Sequence, residues 1–122
     1  MRLSYRRLNE GDLDGWLELV SPRVEWHDVP EIPGSRTYRG RDEAREFAEN
    51  LLDMGESLDF TINEMTENAG AVLADVYVDI VSQSGANLGW RAYSVFRVNE
   101  DLIRYQHGYS DRDEALADFS AD

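Results

Sequence analysis

LNEGDLDGWLELVSPRVEWHD, residues 8–28, is the segment that decides the fold. Gly11 interrupts a first helix over residues 2–9, and Asp12 is placed to cap a second, short helix over residues 13–20. Pro22 is expected to end that helix, and a strand rich in aromatic and ionisable side chains is predicted over residues 24–29. Two short helices followed at once by such a strand predict one wall of a pocket.

The rest of the chain changes from helical to alternating periodicity at Gly55. Residues 30–40 hold two prolines and two glycines and are predicted to form a loop. Residues 42–53 place their apolar side chains on one helical face. Four strands joined by hairpin turns are then predicted over residues 58–66, 71–82, 88–98 and 102–110. A short helix capped by Asp111 closes the chain.

This order of elements predicts an α+β fold in one domain covering residues 1–122. Helices come early and consecutive hairpins come late, so the sheet is expected to be antiparallel apart from its first strand. A strongly curved sheet wrapped around three to four helices would enclose an internal pocket, giving the molecule the shape of a cone.

The charge of the chain restricts its partners. The formal net charge is -13, and all 12 basic residues are arginine. Such a surface repels phosphate backbones and anionic lipids, so neither nucleic acid nor a membrane is an expected partner. There is no cysteine, which excludes thiol chemistry and fits a reducing compartment, so a cytoplasmic location is expected. No cofactor or metal is expected.

Four motifs carry a resemblance to a known family: LNEGDLDG, VEWHD, YRGRDEAREF and IRYQHGYSDRDEA. They resemble the nuclear transport factor 2-like superfamily, and within it the SnoaL-like and ketosteroid-isomerase-like members. The resemblance implies an α+β cone that is open at one end and pairs through its outer sheet face. It also implies a range of activities, from isomerases, epoxide hydrolases, dehydratases and polyketide cyclases to non-catalytic binding or association modules.

The resemblance also places functional positions. The oxyanion-binding tyrosine, the general base and the protonated acid of ketosteroid isomerases would fall at Ser4, Trp26 and Ser94. All three positions differ from the family's functional residues, and Trp26 cannot accept a proton, so steroid-type isomerisation is not expected. The acid that epoxide hydrolases place on the last strand would fall at His107, give or take one residue. Ser94 is kept as a substrate-binding residue.

His107 is the first candidate for chemistry. Alternation along a strand places it with Tyr105 and Tyr109, and the resemblance directs this side into the cone. Among aromatic rings a neutral imidazole is favoured, and such a group could act as a general base near neutral pH. The alternative is a histidine that is simply hydrogen-bonded to a tyrosine hydroxyl.

Asp28 is the second catalytic candidate. It shares a strand side with Trp26, so it could orient His107 or act alone as the base. Alternatively it could cap the loop that follows the strand. His27 should point to the other side of the strand, so a metal site made of His27, Asp28 and His107 is not expected.

The function that these residues favour is a pocket for a small, mostly apolar molecule. Its wall would include Trp26, Trp90, Tyr105 and Tyr109, and Tyr38 would either close over its mouth or anchor the loop. We expect a cofactor-free acid–base enzyme of the isomerase, hydratase, dehydratase, epoxide hydrolase or cyclase type. The alternative is a non-catalytic ligand-binding or dimeric association module. A homodimer is expected through the outer sheet face around Tyr77, Arg91 and Tyr93.

Overall fold

A computed structural model describes residues 1–29, 35–82 and 84–121. Within these ranges the chain forms four helices and a six-stranded sheet. The helices are α1 (Arg2–Asn9), α2 (Leu13–Glu18), α3 (Gly40–Leu52) and α4 (Arg112–Phe119). The strands are β1 (Val20–His27), β2 (Thr37–Arg39), β3 (Ser57–Asn68), β4 (Ala71–Val81), β5 (Asn87–Asn99) and β6 (Leu102–Tyr109). No helix in the described ranges is long and apolar enough to cross a membrane.

The sheet has the strand order β2-β1-β6-β5-β4-β3. Every neighbouring pair is antiparallel except β1 and β6, which run parallel. Two tight hairpins turn through positive φ at Ala69-Gly70 and at Glu100-Asp101, the backbone conformation that two-residue hairpin loops require. The predicted α+β class, with a mostly antiparallel sheet that is parallel only at the first strand, is confirmed.

The core lies between the concave face of the sheet and helices α1, α2 and α3. Strand β4 shows why the chain folds this way, because Ala74, Val76, Val78 and Ile80 alternate with polar residues and all four are buried. Trp16, on α2, is fully buried in the same core. Its indole Nε1 donates a hydrogen bond to Ser4 Oγ at 3.2 Å, which joins α2 to α1.

The Asp12 cap lies where the sequence predicts it, but α2 ends earlier than predicted. The Asp12 carboxylate accepts a hydrogen bond from Gly15 N at 3.0 Å, as expected for a capping residue. The predicted helix over residues 13–20 is wrong at its last two positions, because α2 ends at Glu18. Val20 instead begins β1 and pairs with Ile103, so this residue is buried as part of the sheet.

Pro22 therefore lies inside β1 and does not terminate a helix. The predicted loop over residues 30–40 is replaced at its end by β2, which pairs with β1, and by the start of α3 at Gly40. The first part of that loop, residues 30–34, lies outside the described residues. Tyr38 is buried in β2, so it is part of the wall of the fold and not a lid over the cone.

A bulge at Arg104 reverses the inward and outward positions along strand β6. This reversal contradicts the expectation that His107 faces the cone. Val98 pairs with Ile103 while Arg97 pairs with Tyr105, so Arg104 is an extra residue opposite β5. Such a bulge shifts the alternation by one residue. Ile103 faces the core, but the residues that follow on the inner face are Gln106 and Gly108.

The expectation that Tyr105, His107 and Tyr109 face the cone is therefore wrong. Strict alternation from the apolar Ile103 would have turned all three inward. They lie instead on the convex face, where Tyr105 and Tyr109 pack with Leu73, Val95 and the C-terminal helix α4.

Replacing Trp16 by alanine should destabilise the fold strongly. The substitution leaves a large cavity between α1, α2 and the sheet and removes the hydrogen bond to Ser4. We expect the free energy of unfolding to fall by about 3–5 kcal/mol. Urea denaturation followed by circular dichroism measures the change. Leu88→Ala, at a side chain that is 55% exposed, is the control and should change stability by less than about 0.5 kcal/mol.

Candidate functional site

A cavity of about 320 Å³ opens between the concave sheet face and helices α1 and α3. Its floor is formed by inward residues of β4, β5 and β6, and its sides by α1, α3 and the end of β1. The cone predicted from the sequence therefore does contain a hollow. Its volume lies at the lower end of the range of about 300–1,000 Å³ that is usual for small-molecule sites.

Seven of the twenty residues that line the cavity are aromatic. The Trp26 ring contacts Phe47 at a centroid distance of 5.2 Å and Trp16 at 5.3 Å. Tyr5 contacts Phe60 at 5.2 Å and meets Phe96 edge-on at 5.9 Å. Packed aromatic rings therefore form a large part of the boundary of this mostly apolar cavity.

The polar lining of this cavity consists of a few residues from four elements and the residue that follows β1: Ser4, Tyr5, Asp28, Asn50, Ser94 and Gln106. Gln106 Nε2 donates to Ser94 Oγ at 3.3 Å, and Ser94 also shares a hydrogen bond with Tyr5. Burial raises the pKa of Tyr5 far above its ordinary value, with the Ser94 hydrogen bond offsetting part of the effect. Tyr5 therefore stays neutral and keeps a hydroxyl that can donate to a ligand oxygen.

Asp28 is the carboxyl group of the cavity. It follows the last residue of β1, and its Oδ1 accepts a hydrogen bond from Val29 N at 2.8 Å. Burial raises the pKa of Asp28 above its ordinary value, and the hydrogen bond from Val29 only partly opposes this shift. A half-buried carboxyl with a raised pKa, next to apolar space, has the properties of a group that accepts and returns protons.

Five of the eight residues predicted for the site line the cavity, and three do not. The five are Trp26, Asp28, Tyr38, Trp90 and Ser94. The other three, Tyr105, His107 and Tyr109, lie on the convex face of the sheet. Since His107 is separated from Asp28 by the sheet itself, the predicted pairing of these two residues does not occur.

Tyr105 and Tyr109 bind the C-terminal helix through a single carboxylate. Their hydroxyl groups donate to Asp118 Oδ2 at 2.6 and 2.7 Å, and Arg97 Nη2 donates to Asp118 Oδ1 at 2.9 Å. Burial alone would raise the pKa of Asp118, but these three hydrogen bonds outweigh it and hold the pKa below its ordinary value. Burial also raises the pKa of Tyr109 to about 12, so this phenol remains a donor.

His107 stacks between two other rings on the same face. Its ring lies 4.1 Å from the Tyr109 ring and 4.9 Å from the His27 ring, measured between centroids. Burial lowers the pKa of His107, so its neutral form is favoured, as the sequence predicted, although on the other side of the sheet. The described residues contain no group of three or more histidines and acids that could hold a metal ion.

Sequence reasoning missed several cavity residues, among them the polar residues Tyr5, Asn50 and Gln106. Tyr5 follows Ser4 directly in α1, and both residues line the cavity. Gln106 was missed because of the bulge at Arg104. The available signal was the pair Gln106 and Gly108, since a small residue and an amide between large aromatics suit a crowded inner face better than an outer one.

Comparison with known proteins identifies the family. The model of the SnoaL-like domain matches residues 1–106 of the chain, so the protein belongs to the SnoaL-like family of the NTF2-like superfamily. The resemblance stated from the sequence motifs is thereby confirmed. No curated protein matches the sequence.

Solved structures share the fold at low sequence identity. An NTF2-like protein of unknown function from Burkholderia pseudomallei superposes with a TM-score of 0.79 at 19% identity, over 98% of this chain and 94% of that one. A Mycobacterium tuberculosis protein in complex with estradiol-17beta-hemisuccinate superposes with a TM-score of 0.77 at 20% identity, over 90% of this chain and 89% of that one. The ketosteroid isomerase of a Mycobacterium species superposes with a TM-score of 0.73 at 21% identity, over 90% of this chain and 88% of that one.

Asp118→Asn should destabilise the protein at neutral pH. It should also make the free energy of unfolding less dependent on pH in the acidic range. We expect a loss of about 1–3 kcal/mol at pH 7, the usual value for a hydrogen-bonded charged group. A lowered pKa contributes stability that is fully present above the unfolded pKa of about 3.9 and is lost as the pH falls through the folded pKa.

Urea denaturation at a series of pH values from about 7 down through the aspartate range of about 3.9 measures this difference. Asp79→Asn makes the same charge change at an exposed position on the same side of the sheet and serves as the control. Wild type and Asp118→Asn should converge at the acid end. Parallel curves across the whole range would contradict the role given to this carboxylate.

Proposed function

We propose that this protein binds a small, largely apolar molecule in the cavity and moves a proton on it through Asp28. The observation that carries the proposal is a carboxyl of raised pKa on the wall of a mostly apolar cavity. A family that includes ketosteroid isomerases and ligand-binding proteins supports it. The specific reaction is proposed as proton abstraction beside a carbonyl, a step that isomerisation and cyclisation share.

The chemistry requires a base and a stabiliser for the negative charge that develops. The Asp28 carboxylate would take the proton from the carbon next to the carbonyl, and the electron pair would move onto the carbonyl oxygen. A hydrogen bond from the neutral Tyr5 hydroxyl, itself bonded to Ser94, would stabilise that oxygen. Return of the proton to a carbon atom completes the cycle without a cofactor.

Asp28 replaces His107 as the leading catalytic group. The sequence favoured a histidine because imidazole titrates near neutral pH, but His107 has no access to the cavity. Asp28 as the base without a histidine partner was the alternative recognised from the sequence. Its raised pKa improves its basicity relative to an exposed aspartate, which strengthens this role.

A purely ligand-binding role is the second candidate. It is favoured by the residues at the three isomerase positions, since Ser4, Trp26 and Ser94 all line the cavity and none of them is a base.

The cytoplasmic location expected from the cysteine-free sequence stays a prediction.

Asp28→Asn should slow proton transfer strongly. The test uses 2-tetralone, a bicyclic ketone, in D₂O, with loss of its α-proton signals followed by NMR. Wild type should accelerate the exchange, and Asp28→Asn should lower that acceleration by about a hundredfold or more. The wild-type rate should rise with pH and level off above the raised pKa of Asp28, because only the carboxylate accepts a proton.

His107→Gln is the matched control and should exchange at the wild-type rate, because the sheet separates it from the cavity. Equal rates for wild type and Asp28→Asn would remove Asp28 from the mechanism. Binding of the ketone without exchange above the buffer rate would leave the ligand-binding role.

We also propose that the convex face forms a homodimer. Tyr77 is 39% exposed in the middle of β4, although it is a large aromatic residue. Next to it, Arg91 binds Asp75 with two hydrogen bonds and lies over the Tyr93 ring at 5.4 Å. Tyrosine and arginine in fixed positions on an open sheet face are typical of protein interfaces.

Light scattering at micromolar concentration should give twice the mass of the chain. Tyr77→Asp should shift the protein to the monomer by placing a charge at the centre of the proposed interface. Leu3→Asp, at a residue 40% exposed on α1, is the control and should remain dimeric. A monomeric wild-type mass would contradict the proposed dimer.

A further inference from the structure

Two buried polar atoms, both in residues that line the cavity, have no hydrogen-bond partner among the described residues. They are the Nε1 donor of Trp26 and the Oε1 acceptor of Gln106. Both residues are more than nine-tenths buried, at 4% and 6% exposure. Because a buried polar atom without a partner is destabilising, it is expected to be satisfied by something that the cavity holds.

The two atoms belong to neighbouring residues of the sheet. Trp26 on β1 and Gln106 on β6 are direct partners in the parallel ladder, so their side chains leave adjacent strands on the same face. The Gln106 amide is held by Ser94, which accepts its Nε2 hydrogen at 3.3 Å. This contact directs Oε1 away from Ser94 and leaves it as the unsatisfied atom.

One donor beside one acceptor selects a particular ligand group. A hydroxyl oxygen can accept a hydrogen bond from the indole N–H and at the same time donate its own hydrogen to the amide oxygen. A carbonyl or ether can satisfy only Trp26, an ammonium group only Gln106, and a hydrocarbon neither. A carboxylate would place its negative charge against the Gln106 oxygen and near Asp28.

The size of the cavity limits the rest of the ligand. Its volume of about 320 Å³ is roughly twice that of an apolar cavity of about 150 Å³ that accommodates benzene. An apolar skeleton of about two fused rings therefore fits between the aromatic walls.

We infer that the ligand of this cavity is a neutral alcohol or phenol on an apolar, two-ring-sized skeleton, with its hydroxyl group held between Trp26 Nε1 and Gln106 Oε1. This inference rests on the proposed binding function, but not on proton transfer by Asp28. It adds to that function a second polar anchor, contributed by β1 and β6, which fixes the orientation of the bound molecule.

The test measures the binding of three matched probes to the full chain by isothermal titration calorimetry. 2-Naphthol can donate and accept, 2-methoxynaphthalene can only accept, and 2-methylnaphthalene can do neither. Wild type should bind 2-naphthol at least tenfold more tightly than 2-methoxynaphthalene, although the ether is the more hydrophobic probe.

Two variants separate the two contacts. Gln106→Leu should weaken the binding of 2-naphthol about tenfold or more. The other two probes should bind this variant as tightly as wild type or more tightly. Trp26→Phe keeps an aromatic ring but removes the indole N–H. It should weaken the binding of 2-naphthol and 2-methoxynaphthalene but not that of 2-methylnaphthalene. Thermal melts verify that both variants fold.

A spectroscopic measurement on wild type keeps the test decisive if a variant fails to fold. The indole N–H resonance of Trp26, one of three tryptophans, should move downfield on addition of the naphthol or the ether, and not with the hydrocarbon. Equal binding of all three probes, with no such shift, would overturn the hydroxyl inference and leave the proposed cavity function standing. No binding of any probe would overturn both.

Discussion

The organisation of this protein depends on which side of the sheet each strand residue faces. The concave side is apolar and covered by three helices, whereas the convex side carries tyrosines, histidines and ion pairs. In β4 and β5 simple alternation keeps these two sets apart. In β6 one unpaired residue, Arg104, reverses the alternation. It turns Gln106 into the cavity and His107 out of it, so a single backbone irregularity decides the polar content of the site.

The two faces handle buried polar groups differently. On the convex face Asp118 has three donors, so its charge is compensated and its effect is structural. In the cavity, counting only the residues that the structure describes, Asp28 has one backbone donor, and Trp26 Nε1 and Gln106 Oε1 have no hydrogen-bond partner. A protein interior normally satisfies such groups, so the two unsatisfied atoms support the proposed ligand. The contrast explains why the carboxylate with more partners is the less suitable one for chemistry.

The fold could be predicted from the sequence because its signals are local. Asp12 and Asp111 cap helices as expected, and the alternation of β4 and β5 assigns their inner faces without error. The site was only partly predictable. Trp26, Asp28 and Ser94 were placed correctly in the lining, but the direction of β6 depends on strand register, which is a long-range property. Val20 shows the same limit, since burial in a helix and burial in a strand leave the same apolar residue in the sequence.

The pairing of strands β5 and β6 has a consequence for how such a protein can diversify. Neighbouring residues of these strands serve opposite surfaces: Gln106 contributes to the hollow, whereas Tyr105 and His107 contribute to the packing of the terminal helix and the outer rings. Mutations that alter the interior chemistry can therefore accumulate without disturbing the exterior, and the reverse also holds. One scaffold can in this way explore new specificities while its external architecture stays constant.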